Sequence, residues 1–307
     1  MSMDDVAAAL AARLPGKVER DAPSAPMVTY RCGGPLAVLV RATSEDDLLA
    51  IAAELTPETD VLVVGRGSNL LVADAGFRGV AITLAGAFEH LDVAGDTVDA
   101  GGAVALPVLA RRSAAGGIAG LEFFVGIPGS VGGAVRMNAG GHGADTSEVI
   151  RSARVVELDT AAVRTMTAGA LDFGFRHSAI GRRDVVTGAV FAGTPDDPDA
   201  CGARIDEIVR WRREHQPGGQ NAGSVFKNPP DDAAGRLIDA SGAKGLRIGG
   251  AVVSEKHANF FVAEAGTKAA DVFALVREVR ALVESRQGVR LEPELKLVGF
   301  GCDKEAS

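Results

Sequence analysis

Apolar residues recur along this chain with two different periods. Over residues 267–288, Val272, Leu275, Val276, Val279, Leu282 and Val283 return at three- and four-residue steps, which predicts a long amphipathic helix closing on Gly288. The same spacing predicts a helix from Thr43, with Asp46 three residues on as a variant capping box and Leu48, Leu49, Ala52 and Leu55 on its apolar face. Two more helices are predicted. One is short, over MSMDDVAAALAARL at the start, and one covers ARIDEIVRWRREH, ending just before Pro217. Runs and alternations predict strands at VLVVG (61–65), GVAITL (79–84), DTVDAGGAV (96–104), RSARVVELD (151–159) and RDVVTGAVF (183–191). PDDPDACG (195–202), polar and broken by proline, reads as a linker. Strands and helices mix without strict alternation, so the fold class is α+β rather than doubly wound α/β.

The chain of 307 residues is long enough for two or three compact units. Its net charge of -8 and lack of a basic patch interleaved with aromatics argue against a nucleic-acid partner. Cys32, Cys201 and Cys302 have no CxxC spacing and no neighbouring histidine pair, so a reduced, cytoplasmic protein with no metal site is expected. Two aspartates stand near the start where a signal peptide needs positive charge. The stretch 116–135 has Glu122 as its only charge, but its glycines and Pro128 argue against a spanning helix, so no membrane partner is expected.

So much glycine calls for a reason, and two loops concentrate it. VLVVGRGSNLLV (61–72) follows a strand but lacks the third glycine of a Rossmann loop and continues as strand. Its glycines let main-chain N–H groups approach a phosphate, and Ser68 and Asn69 add side-chain donors. GIPGSVGGAVRMNAGGHG (126–143) clusters Gly129, Gly132 and Gly133 around Ser130, with NAGG following. Two such surfaces suit one dinucleotide. A serine in AGSVFKNP (222–229), Ser224, stands on a glycine- and proline-punctuated turn, where a hydroxyl most often caps local backbone.

Taken together, VGRGSNLLV, GLEFFVGIPGSVGGAVRMNAG, FRHSAI, AGSVFKNP, GAVVSEKHANFFV and EPELKLVGF closely resemble the UDP-N-acetylenolpyruvoylglucosamine reductase (MurB) family, from about residue 30 to Phe300. The compact type lacking a tyrosine-bearing loop is nearest. The resemblance implies a two-lobed FAD-binding module of the vanillyl-alcohol oxidase (PCMH-type) superfamily followed by a C-terminal α+β substrate-binding domain. The implied lobes are residues 1–85, with a tail at 290–307 packing back on it, 86–198, and 199–289. It also implies non-covalent FAD, NADPH as hydride donor, and reduction of a UDP-sugar enolpyruvyl ether, UDP-N-acetylglucosamine enolpyruvate, to UDP-N-acetylmuramate in peptidoglycan synthesis by a monomer. An FAD-dependent oxidase of the same superfamily is the alternative, although its substrate lobe is usually larger than the stretch after residue 200.

Site residues follow from the same motifs. Ser224 matches the family's proton donor, Arg176 in FRHS its enolate-supporting arginine, and Glu294 in EPELKL its second catalytic residue. The alternation Leu171, Phe173, Phe175 places Arg176 on the opposite face of a strand; Leu291, Pro293, Leu295 and Leu297 do the same for Glu292 and Glu294. Cofactor contacts are expected from Gly65, Arg66, Gly67, Ser68, Asn69, Leu70, Ile127, Pro128, Gly129, Ser130, Gly132, Gly133, Ala134, Asn138 and Gly140. Lys227, Asn228, His257 and Asn259 are expected on the UDP-sugar side. Phe175 and His142 stand where tyrosine or another aromatic is common in the family.

Overall fold

The computed structural model describes residues 2–301, so Cys302 lies outside the described residues. The chain divides into two units, each assembled from separate stretches of sequence. The first comprises Met1–Asp21, Ala37–Arg66 and Arg78–Arg212; the second comprises Ala22–Leu36, Gly67–Phe77 and Arg213–Ser307.

In the first unit, α1 (Met3–Arg13) and α2 (Glu45–Glu54) share an apolar core with the strands Pro35–Ala42 and Phe77–Leu84. The capping box of α2 lies one residue beyond its predicted place. Ser44 is the N-cap and accepts from the Asp47 amide, and Asp47, not Asp46, closes the box. Asp47 wins because it also receives the Thr43 amide and Lys17 Nζ, satisfying a carboxylate that is nearly buried. The buried face of α2 is Leu48, Ile51 and Ala52, with Leu49 and Leu55 packed at its margin. Val61–Val63 runs parallel to Phe77–Leu84, which leaves the Gly65 loop at the C-terminal end of a strand.

A second, antiparallel sheet orders its strands Ala162–Thr167, Ile150–Glu157, Asp184–Ala192, Thr97–Gly101 and Leu91–Ala94. Against it lie α3 (Leu106–Ala115), α4 (Val131–Met137), α5 (Thr146–Val149) and α6 (Pro198–His215), around a core that includes Phe123, Phe124 and Phe191. The expected linker at 195–202 is in large part helix. Asp197 accepts the Ala200 amide and Pro198 takes the first helical position, an N-terminal signature that overrides the proline's reading as a breaker.

In the second unit, α7 (Ala234–Ala240) and α8 (Ala269–Gln287) cover an antiparallel sheet of Arg247–Ile248, Ala251–Val253 and Phe261–Ala263. The predicted stripe of α8 is realised: Val272, Leu275, Val276, Val279 and Val283 are buried, and Gly288 ends the helix in the left-handed region. The strands Leu70–Val72 and Lys296–Val298 pair in parallel. Extended alternation over 291–297 is therefore confined to its last residues. Leu291 and Leu295 are buried and Leu297 only partly so, because the chain before Lys296 bonds irregularly to the Ser224 segment. Among the described residues no helix is long and apolar enough to cross a membrane.

Candidate active site

The first unit carries Arg176. The expected strand through it is absent, since Asp172 and Arg176 both adopt left-handed backbone, with φ of 43° and 55°. Such angles end an extended run, leaving Phe175 exposed rather than on a buried face. Arg176 sits instead in a tight turn closed by reciprocal bonds between Gly174 and His177, at 3.1 and 3.2 Å. Its guanidinium donates to two main-chain carbonyls, Asn138 O at 3.4 Å and Gly140 O at 3.2 Å, and lies 5.2 Å from the Phe175 ring.

Asn138 ends α4 in the left-handed conformation, a position at which asparagine and glycine are favoured. Its buried amide donates to Asp145 Oδ2 (3.2 Å) and Gly174 O (3.1 Å), while Oδ1 accepts from the Ser147 amide (3.0 Å). Both donors of the amide are thus engaged by the protein. Gly140 opens the hairpin Gly140–Gly141 and Ala144–Asp145, whose tip residue His142 stands edge-on to Trp211 at 5.0 Å. Burial, with Arg212 adding to it, lowers the His142 pKa.

The two glycine loops meet within this unit. A Cβ on Gly65 would lie 2.5 Å from Ser130 Oγ, so a larger residue there requires the hydroxyl to turn away. Ser130 caps α4 by accepting from the Gly133 amide. Other amides of this loop are turned inward: Ile127 to Phe124 O, Val131 to Val104 O, Gly132 to Gly102 O, and Ala134 to Ser130 O. Pro128 has no N–H, so the donors this loop offers to a ligand are the amides of Gly129 and Ser130. Arg66, next to Gly65 in sequence, is exposed.

The second unit carries Ser224 and Glu294. Gly223, at φ 75°, turns the chain into a short extended run in which Ser224 bridges Phe260. The main chain that follows, from Val225 to the Lys227 amide, is fastened. The Val225 amide donates to Asn259 O and Val225 O accepts the Glu294 amide, each at 2.8 Å; Lys227 N donates to Glu292 O at 2.9 Å. The buried Asn259 side chain grips Phe226 at both ends, Oδ1 accepting its N–H at 2.9 Å and Nδ2 donating to its carbonyl at 2.8 Å. Ser224 Oγ, half-buried, makes no hydrogen bond to the protein among the described residues, so the local-cap role is not taken up. Glu294 is half-buried, its carbonyl accepting from Asn69 Nδ2 at 3.1 Å, whereas Glu292 is exposed and pairs with Lys227 at 3.6 Å.

The remaining positions divide clearly. Asn228 Oδ1 accepts the first amide of α7, from Ala234. His257 Nδ1 accepts the Asn259 amide and the ring packs edge-on to Phe260; burial keeps its pKa below the ordinary histidine value. Gly67 is left-handed (φ 60°), and a Cβ there would reach 2.0 Å from Met27 O. Leu70 opens the strand paired with Lys296, and Ser68 is half-buried just before it. Sequence reading missed Thr29. Its amide donates to Gly67 O at 3.2 Å and its Oγ1 is buried with no hydrogen-bond partner among the described residues. The one clue was its place directly before the motif YRCGGP. In the first unit the amides of Gly129 and Ser130 are open to a phosphate, and in the second unit the Thr29 hydroxyl is an orphaned polar group.

Comparison with known proteins covers nearly the whole chain. Residues 215–298 match the family model described as UDP-N-acetylenolpyruvoylglucosamine reductase, C-terminal domain, and residues 35–166 match that of the FAD binding domain. Proteins named UDP-N-acetylenolpyruvoylglucosamine reductase are similar in Paramagnetospirillum magneticum, 43% identical over 95% of each chain, and in Caulobacter vibrioides, 42% identical over 92% of this chain and 95% of that one. The crystal structure of UDP-N-acetylenolpyruvylglucosamine reductase (MurB) from Thermus caldophilus superposes with a TM-score of 0.81 at 35% identity, covering 92% of this chain and 99% of that one.

Proposed function

Because the chain belongs to the UDP-N-acetylenolpyruvoylglucosamine reductase family, we propose that Arg176, Ser224 and Glu294 are its catalytic side chains. The protein is an FAD-dependent oxidoreductase that uses NADPH to reduce UDP-N-acetylglucosamine enolpyruvate to UDP-N-acetylmuramate, a step of peptidoglycan synthesis. When bound, FAD supplies the hydride relay from NADPH to the substrate.

Hydride arriving at the enolpyruvyl β-carbon converts the methylene to a methyl group and leaves an electron pair on the α-carbon, delocalised into the carboxylate. A proton must then be delivered to that carbon. Ser224 Oγ is its donor, and Glu294, half-buried and adjoining the same run through Val225, replenishes it. Arg176 faces the substrate carboxylate, for which a planar, permanently charged fork is suited. The observation that carries the reading is the Ser224 hydroxyl itself: among the described residues it lacks a protein partner, while the backbone that follows it, from Val225 to the Lys227 amide, is fastened.

The cofactor contacts are assigned to Gly65–Leu70 and to the Gly129–Ser130 amides, with Thr29 added. Lys227 serves the UDP-sugar diphosphate, because its exposed pairing with Glu292 is easily exchanged for a ligand anion. His257 and Asn228 adjoin it. The three lobes 1–85, 86–198 and 199–289, a single-chain oligomeric state and a cytoplasmic setting belong to the same reading. Two buried free thiols, Cys32 and Cys201, suit a reducing compartment.

Stopped-flow measurement of Ser224→Ala tests the assignment. Bleaching of the flavin by NADPH proceeds at nearly the normal rate, while reoxidation by the enolpyruvyl substrate slows by about a hundredfold to ten-thousandfold. Equal reoxidation rates in the variant and the parent sink the proton-donor role.

A further inference from the structure

Two of the ties on Arg176 and its turn lead to one residue. The turn that bears it is tied through Gly174 O to the Asn138 side chain, and its guanidinium is tied to the Asn138 main-chain carbonyl. Side-chain amide, Gly174, Phe175, Arg176 and guanidinium therefore form a closed ring that begins and ends at Asn138. We propose that Asn138 is the positioning residue for Arg176, and that it acts in the reaction through this ring rather than by touching the cofactor. The inference rests on the catalytic reading of Arg176 given above.

Three observations bear on it. The Asn138 side chain is 4% exposed and both of its N–H donors are engaged, by Asp145 and Gly174. It therefore has no donor to offer a ligand. Its left-handed backbone, φ 42°, redirects the chain after α4 so that Gly140 O converges on the same guanidinium. The bond to Asp145 closes the base of the hairpin that carries Gly140, so one amide fixes both the turn and the hairpin facing it.

Asn138→Gly is the informative variant, because glycine keeps the left-handed backbone and the main-chain carbonyl while removing the amide. FAD content and NADPH-driven bleaching stay at parental values, and reoxidation by the enolpyruvyl substrate slows by about tenfold to a hundredfold, the scale of an ångström-level misplacement. The ring also makes the effect conditional on Arg176. On an Arg176→Lys background, Asn138→Gly adds little further slowing, as coupled positions do. Asn138→Asp, which keeps the acceptor for Ser147 but loses both donors, gives the same half-reaction split should the glycine variant not fold. Parental reoxidation in Asn138→Gly overturns the inference. So does loss of FAD with reoxidation intact after reconstitution, or full additivity with Arg176→Lys. If Arg176→Lys alone leaves reoxidation unchanged, the catalytic reading of Arg176 fails instead.

Discussion

Two buried asparagines, one in each unit, hold the segments that bear Arg176 and Ser224, and they do so differently. Asn259 bonds a single peptide unit, Phe226, at both its N–H and its carbonyl, and so acts as a substitute strand partner for an extended run beside Ser224. Asn138 bonds three separated places, Gly174, Asp145 and Ser147, and so gathers two turns and a hairpin around Arg176. Each supplies hydrogen bonds where no regular element can. The difference teaches where a loss will be felt. Asn259 lies in an apolar cluster with Phe226 and Phe261, so removing it strands buried backbone groups. Asn138 organises turns whose own contribution to the core is small, so removing it disturbs aim more than stability.

The sharpest contrast is therefore Asn259→Ala, which leaves the Phe226 N–H and carbonyl without partners. It lowers stability by about 2–4 kcal/mol, from two buried groups at roughly 1–2 kcal/mol each, readable as a fall in thermal midpoint. Asn138→Gly gives a much smaller fall, and equal falls in the two variants would erase the distinction. Next is Arg176→Lys, which keeps charge but loses the fork. Reoxidation by the substrate slows by about one to two decades, or roughly 1.4–2.8 kcal/mol of barrier, with flavin bleaching by NADPH unchanged in stopped flow.

The pH response follows in size. Burial lowers the pKa of His257 in the folded protein. Below about pH 6.5 the unfolded chain takes up a proton that the folded chain does not. Stability therefore falls as pH drops from there toward the lowered folded value, then levels. His257→Gln reduces that slope in thermal melts taken from pH 7.5 to 5, and His142, whose pKa is also lowered by burial, keeps a part of it. The smallest effect belongs to Glu292→Ala. Its pairing with Lys227 is exposed, so the thermal midpoint stays put, in contrast to any change at the half-buried Glu294.

Long periodic elements were legible in the sequence because their signal is local. The stripe of α8 and the strand continuing after the Gly65 loop both appear where the pattern placed them. The fold class was legible for the same reason. Arg176 was legible as a residue but not as a geometry: Leu171, Phe173 and Phe175 alternate like a strand, and only the left-handed Asp172 and Arg176 break it. Non-glycine residues seldom announce such angles. Glu292 and Glu294 were indistinguishable by alternation and are told apart by burial. The hydrogen bonds of the two asparagines were not legible, because their partners are distant in sequence, 33 residues away for Asn259 with Phe226 and 36 for Asn138 with Gly174.

Asn69 carries this distance furthest. Its side chain holds the Glu294 carbonyl across 225 residues, its own carbonyl accepts the Lys296 amide, and the next residues pair in parallel with Lys296–Val298. Arg78–Arg212, the longest stretch of the first unit, is encoded between these partners. During synthesis, then, Leu70–Val72 emerges with its edge unpaired and waits while most of the first unit is made. The carboxylate at 294 and the strand that completes this edge arrive together, so a nascent chain halted before residue 290 lacks both. Closing such a loop comes late and slowly, since long-range pairing follows the local contacts. Placement of the Glu294 carboxylate is in this way tied to completion of a contact between residues far apart in the chain.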